Sequence, residues 1–115
     1  MRRLLILGLL AWCSQASITV TTLADISGDA AAHAIATSGG ATWIQFVAPS
    51  ANSSVVRIGD SSITTSRGTP LAAGGGLYMP PVAISNNPSA DPKYQLSAIY
   101  YLIQSGDKLS ITYAP

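Results

Sequence analysis

Between Ser54 and Gly76 the chain reads Ser-Val-Val-Arg-Ile-Gly-Asp-Ser-Ser-Ile-Thr-Thr-Ser-Arg-Gly-Thr-Pro-Leu-Ala-Ala-Gly-Gly-Gly. Short β-type runs alternate here with Gly, Asp and Ser, and no run is long enough for a helix. Val55 to Ile58 forms one run, broken at Gly59-Asp60. Ile63 to Thr65 resumes it, and Arg67-Gly68 breaks it again. Strands bounded by such residues form a meander whose corners are set by turn chemistry.

The surface residues point the same way. All five acids are aspartates (Asp25, Asp29, Asp60, Asp91 and Asp107), Glu is absent, and charged residues make up 10% of the chain. A typical domain carries about 25%. Missing Glu and scarce Lys remove the side chains that dress exposed helices. Thr, Ser, Val, Ile, Tyr and Gly remain, which is strand-and-turn composition. At 115 residues the chain is one domain with a single modest core. A surface so poor in charge has little to keep it apart from other proteins.

The amino-terminal segment Met1 to Ala16 stands apart. Arg2 and Arg3 precede nine apolar residues, Leu4 to Trp12, and Cys13-Ser-Gln-Ala follows. Ser14 and Ala16 sit where a signal peptidase reads small residues before Ser17. The run is too short to span a bilayer of about 30 Å. Two readings stand: a cleaved secretory signal, or an apolar arm that packs on a neighbour. Cys13 is the only cysteine, so the chain holds no internal disulfide. Net charge is +1; without Arg2 and Arg3, four bases face five acids. No basic stripe exists, which argues against nucleic acid as a partner.

In chain order, Ser17 to Leu23 alternates Ile18/Val20 with Thr19/Thr21 and predicts a half-buried strand. Asp25 to Asp29 predicts a turn. Ala30 to Thr37 is read as a strand that forms a hairpin, through Ser38-Gly39-Gly40, with the segment after it. Ala41 to Ala48 carries the clearest strand pattern, with Ile44 and Phe46 on one face and Trp43, Gln45 and Val47 on the other. Pro49 ends it, and Ser50 to Ser53 is a polar loop. Val55 to Gly59 sets Arg57 opposite Val56 and Ile58. Gly74 to Met79 runs into Pro80-Pro81, which suits a sheet edge or a strand end. Residues 81–92 form an extended loop, with Val82 and Ile84 as its anchors. Gln95 to Gln104 is apolar on both faces and predicts a strand covered on both sides. Ser105 to Lys108 predicts a hairpin turn into a last strand bearing Leu109, Ile111 and Tyr113. The sum is an all-β domain over residues 17–115: a small antiparallel β-sandwich or jelly roll of about seven to eight strands.

No constellation for catalysis or metal binding emerges. His33 is the only histidine, and metal centres need several ligands at close spacing. A serine nucleophile needs a base and a nucleophile elbow, and the elbow is missing. Each aspartate lies in or beside a turn, where it accepts amide hydrogen bonds. Gly59-Asp60-Ser61-Ser62 is read as such a turn, and Gly74-Gly75-Gly76 as a bend without the residues of a phosphate loop. Arg57 and Arg67 are read as solvated cations. Tyr78, Tyr94, Tyr100, Tyr101 and Tyr113 serve packing or an interface before any carbohydrate platform. The residues therefore predict no catalytic, cofactor-binding or metal-binding residue, no cofactor and no enzyme.

The run Val55 to Gly76, with Tyr94-Gln-Leu-Ser-Ala-Ile-Tyr-Tyr and Gly106-Asp-Lys-Leu-Ser-Ile-Thr-Tyr113, resembles small β-rich proteins of tailed bacteriophages. The shared pattern is a strand ending in Gly-Asp, a turn of the form G-x-P-L-x-x-G, then L-x-x-I-Y and G-D-x-L-x-V-x-Y strands. It covers about residues 41–115. The resemblance implies a virion structural protein similar to capsid decoration, or cement, proteins. It further implies the major capsid protein or other virion proteins as partners, a homo-oligomeric state (dimer or trimer), and the virion as location. A cleaved Met1–Ala16 implies instead a secreted or periplasmic β-sandwich module that binds a surface polymer or protein.

Overall fold

The computed structural model describes residues 19–82 and 92–115. The segment Met1 to Ala16, the cleavage point before Ser17, Ile18, Ile84 and Asp91 lie outside them. Eleven strands appear among the described residues: β1 (Thr21–Thr22), β2 (Ile26–Ser27), β3 (Ala32–Ala34), β4 (Gly40–Ala41), β5 (Trp43–Val47), β6 (Val56–Gly59), β7 (Thr69–Leu71), β8 (Gly76–Met79), β9 (Tyr94–Gln95), β10 (Tyr100–Leu102) and β11 (Lys108–Ala114). All their pairings are antiparallel. A five-stranded sheet runs β1-β11-β5-β8, with β2 also paired to β11. A four-stranded sheet runs β3-β10-β6-β7, and β4 with β9 forms a short ribbon. The architecture is the all-β antiparallel sandwich that the composition predicts. The strand number exceeds the expected seven to eight because β1, β2, β4 and β9 are two-residue pairings, too short to leave a periodic signature.

One buried cluster draws from both sheets and so lies between them. It includes Ile44 and Phe46 of β5, Leu109 and Ile111 of β11, Val56 and Ile58 of β6, and Leu71 of β7. The β5 alternation holds: Ile44 and Phe46 are fully buried, Gln45 and Val47 exposed. Register carries the pattern across the sheet, with Phe46 opposite Ile111 on one side and Leu77 on the other. Burying a side chain of this size contributes about 1.5–3 kcal/mol. Arg57 lies opposite Val56 and Ile58 as expected, and β8 is an edge strand that ends before Pro80-Pro81.

Connectivity departs from the sequence reading in several places. Ala32–Ala34 is a strand, but it pairs with β10 and not with β5. Ser38 to Gly40 is thus an arch between sheets and not a hairpin. Ser105 to Lys108 is likewise an arch, because β10 and β11 belong to different sheets. Among the described residues, only β6 and β7 are consecutive strands paired with each other. A Gly/Ser turn has the same chemistry in either role, so the sequence does not separate them. Gln95 to Gln104 is not one strand: a 3-10 turn at Leu96–Ala98 divides β9 from β10. The segment Asp25 to Asp29 contains β2, which binds β11 at Lys108 and Leu109. Near the start, the expected facing is reversed. Val20 is 51% exposed, while Thr21 is half-buried and Leu23 packs on the core. A one-residue change of register moves every side chain to the other face. Val82 is exposed rather than anchored.

Candidate interaction surface

The outer face of the five-stranded sheet follows from register alone. Residues directly opposite one another share a face, so Gln45 aligns with Tyr78, Thr112 and, beyond it, Thr22. Val47 aligns with Gly76 and Ser110, and Trp43 with Ala114. The face is uncharged across these positions; Lys108, paired with Ser27, is the cation at its far end. Tyr78 is 54% exposed, and its ring lies 6.2 Å from that of Trp43 at an interplanar angle of 51°. Val47 is also exposed. The tilt leaves no flat plane for stacking a sugar ring. The aromatic pair is half-exposed and sits on an uncharged stretch of the face.

Among the described residues, Asp29, Asp60 and Asp107 hold corners. Asp107 is buried, and its carboxylate accepts the amides of Ser53 (2.9 Å) and Ser54 (2.8 Å). These amide bonds, led by that of Ser53 and aided by its hydroxyl, hold the Asp107 carboxyl below the ordinary value. Asp60 accepts the hydroxyl and amide of Ser62, the turn expected for Gly59 to Ser62, and those bonds lower its pKa. Asp29 accepts the amide of Ala31 and lies 2.7 Å from His33 Nε2; the His33 contact first, then the amide, depresses its pKa. His33 is exposed beside the Tyr101 ring, 5.9 Å between centroids. Burial raises the Tyr101 pKa, and the Asp29 charge adds to the rise.

Of the two central cations, Arg57 departs from a solvated role. Its guanidinium donates to Gly68 O at 3.0 Å, and its Nε is buried without a partner among the described residues. Tyr94 donates to Pro80 O at 2.6 Å, and Tyr113 packs on the core. Gly74, at φ +80°, supplies the bend before β8.

A groove of about 330 Å³ lies at the β6–β7 corner, between Asp60, Ile63, Arg67 and Thr69. A second, of about 540 Å³, runs beside β3 between His33, Thr37, Ser97 and Tyr100. No group of three or more His, Cys, Asp or Glu able to hold a metal occurs among the described residues. Sequence reasoning missed one polar anchor, Asn52. Its side-chain amide donates to Lys108 O (2.8 Å) and its carbonyl accepts from Lys108 N (2.9 Å). Asn in a Ser-rich loop reads as turn chemistry and carries no sign of a partner far along the chain. Searches against protein-family models, curated proteins and solved structures returned no match.

Proposed function

We propose that this protein is a non-enzymatic virion structural subunit. Its role is that of a capsid decoration, or cement, protein bridging neighbouring shell proteins. The observation that carries the reading is the outer face of the five-stranded sheet, uncharged along β5 and β8, with Trp43, Val47 and Tyr78 upon it. The resemblance of residues 41–115 to small tailed-phage proteins supports it. Its two Gly-Asp pairs fall at corners: Gly59-Asp60 closes β6 and Gly106-Asp107 precedes β11. Docking on a shell buries about 1,600 Å² in a contact of standard size, and repeated sites on one lattice raise the effective affinity by avidity.

The test is electron microscopy of purified particles, with and without the Tyr78→Lys substitution. Density for this fold at repeated lattice positions, lost in the variant, supports the reading. Particles without the protein overturn it.

The Met1–Ala16 pattern favours a second reading, an exported β-sandwich that binds a surface polymer or protein. The mass of the native amino terminus separates the two: a start at Ser17 supports export, and a start at Met1 or Arg2 supports a retained arm.

A further inference from the structure

The chain enters the five-stranded sheet at β1, and the direction of entry decides where the residues before it are delivered. Thr21 pairs with Tyr113 and Thr22 with Thr112, antiparallel. Leu23 N donates to Ile111 O at 3.1 Å, which carries that register one residue further into the sheet. One residue the other way sets Val20 beside Ala114. Side chains alternate between faces along a strand. Leu23 packs on the core and Thr22 is exposed, so Val20, itself 51% exposed, lies on the outer face.

Ala114 pairs in turn with Trp43. Val20, Ala114 and Trp43 therefore form one row across the outer face, and Pro80, the residue after Met79 of β8, stands at its end. The indole N–H of Trp43 is the one polar side-chain group in this row. The exposed ring of Tyr78, 6.2 Å from that of Trp43, borders it. The next rows differ in kind: Thr22, Thr112, Gln45 and Tyr78, then Ser110, Val47 and Gly76. The apolar row is thus confined to one end of the face, and it is the end at which the chain arrives.

The segment that precedes Val20 matches the row in chemistry. Leu4 to Trp12, outside the described residues, is Leu-Leu-Ile-Leu-Gly-Leu-Leu-Ala-Trp. Seven residues, Cys13 to Thr19, join it to Val20. Fully extended, seven residues reach about 23 Å, whereas the three strand spacings from β1 to β8 add to about 14 Å. The tether therefore reaches every position of the row. It also fixes which copy of the segment arrives first: a short linker holds its own segment at an effective concentration in the millimolar range, while the segment of another chain is present only at the concentration of the protein.

From this we infer that residues 4–12 cover the Val20–Ala114–Trp43 row of their own chain. The segment and the row then hide each other from water, in a chain whose 10% of charged residues gives exposed apolar surface little protection from association. The row of Ser110, Val47 and Gly76 lies at the far end of the face and stays open to a partner.

Cys13 is the only cysteine, so a nitroxide on its thiol marks the segment in the full chain without any substitution. The experiment is paramagnetic broadening of the amide signals in dilute solution. Broadening is expected at Trp43, Gln45 and Tyr78, and not at Gly59 and Gly68 of the other sheet. Leu5→Asp/Leu9→Asp places two charges in the segment and leaves residues 17–115 unaltered; burying charge is costly, so broadening at Trp43 and Tyr78 should fall about tenfold or more. Val20→Lys, at an exposed position of the row, should produce the same loss. Equal broadening in the wild type and the Asp variant overturns the inference. So does broadening that appears only when nitroxide-bearing chains are mixed with isotope-labelled chains lacking it, since the segment then lies on a neighbour. A native chain that begins at Ser17 overturns it as well. The contact is independent of the virion reading: particles without the protein leave it standing, and its loss in the Asp variant leaves binding to particles through Val47 and Tyr78 to be judged separately.

Discussion

Replacing Asn52 by Ala tests how the loop after β5 is tied to the last strand. Asn52 retains 9% exposure and makes two hydrogen bonds to one distant residue, Lys108 O at 2.8 Å and Lys108 N at 2.9 Å. Alanine leaves both backbone groups without their partner at the start of β11. Each unpartnered group in a water-poor site costs about 1–3 kcal/mol, so the loss is about 2–6 kcal/mol. For a domain near 100 residues, 1 kcal/mol moves Tm by about 4 °C, which predicts a fall of about 8–24 °C. Asn52→Asp keeps the acceptor for Lys108 N but sets a carboxylate against Lys108 O, so it should rescue little. The assay is urea unfolding at pH 7 followed by far-ultraviolet circular dichroism, with thermal melts alongside. A loss below about 1 kcal/mol at constant m-value refutes the argument, since it would mean that water replaces both bonds at no cost.

Other consequences are equally direct. The Asp107 carboxyl is held below its ordinary value by the Ser53 and Ser54 amides, so the unfolded chain takes up this proton more readily than the folded one. Its contribution is therefore present above about pH 4 and lost as pH falls through the folded value; acid titration of Asp107→Asn should show a shallower decline and lower stability at neutral pH. Gly28→Ala sets a Cβ against Gln104 O and 2.6 Å from Ile103 O, and backbone cannot step aside cheaply. Denaturant melts should show a loss of about 3 kcal/mol; a neutral result would mean that the Gly28–Asp107 corner is soft. Among the described residues, Ala30 is the non-glycine residue with positive φ, at 64°, a conformation that costs an L-residue about 1–2 kcal/mol. Relief of that cost outweighs the added freedom of the unfolded chain, about 0.4–1 kcal/mol, so Ala30→Gly should stabilise by about 0.5–1 kcal/mol, and a loss of stability in melts would contradict this.

What the sequence determined alone is the class of fold and the local facing of its strongest strands. Missing Glu, scarce Lys and abundant Ser, Thr, Ile and Gly point away from a helical domain. Strict alternation placed Ile44 and Phe46 inside and Gln45 and Val47 outside, because a period of two is a property of the backbone and needs no partner. Asp60 was legible as a corner for the same reason, since its bonds reach only two residues along. The uncharged outer face was legible only in part: composition promised a surface poor in charge, but the alignment of Tyr78 with Gln45 and Thr112 came from pairing. Tertiary structure alone decided which strands meet. It set β3 beside β10 and not β5, made arches of Ser38–Gly40 and Ser105–Lys108, and sent Asn52 and Asp107 to partners more than fifty residues away. The physical reason is that strand pairing and buried polar bonds are satisfied across the core, by residues whose separation along the chain leaves no periodic trace.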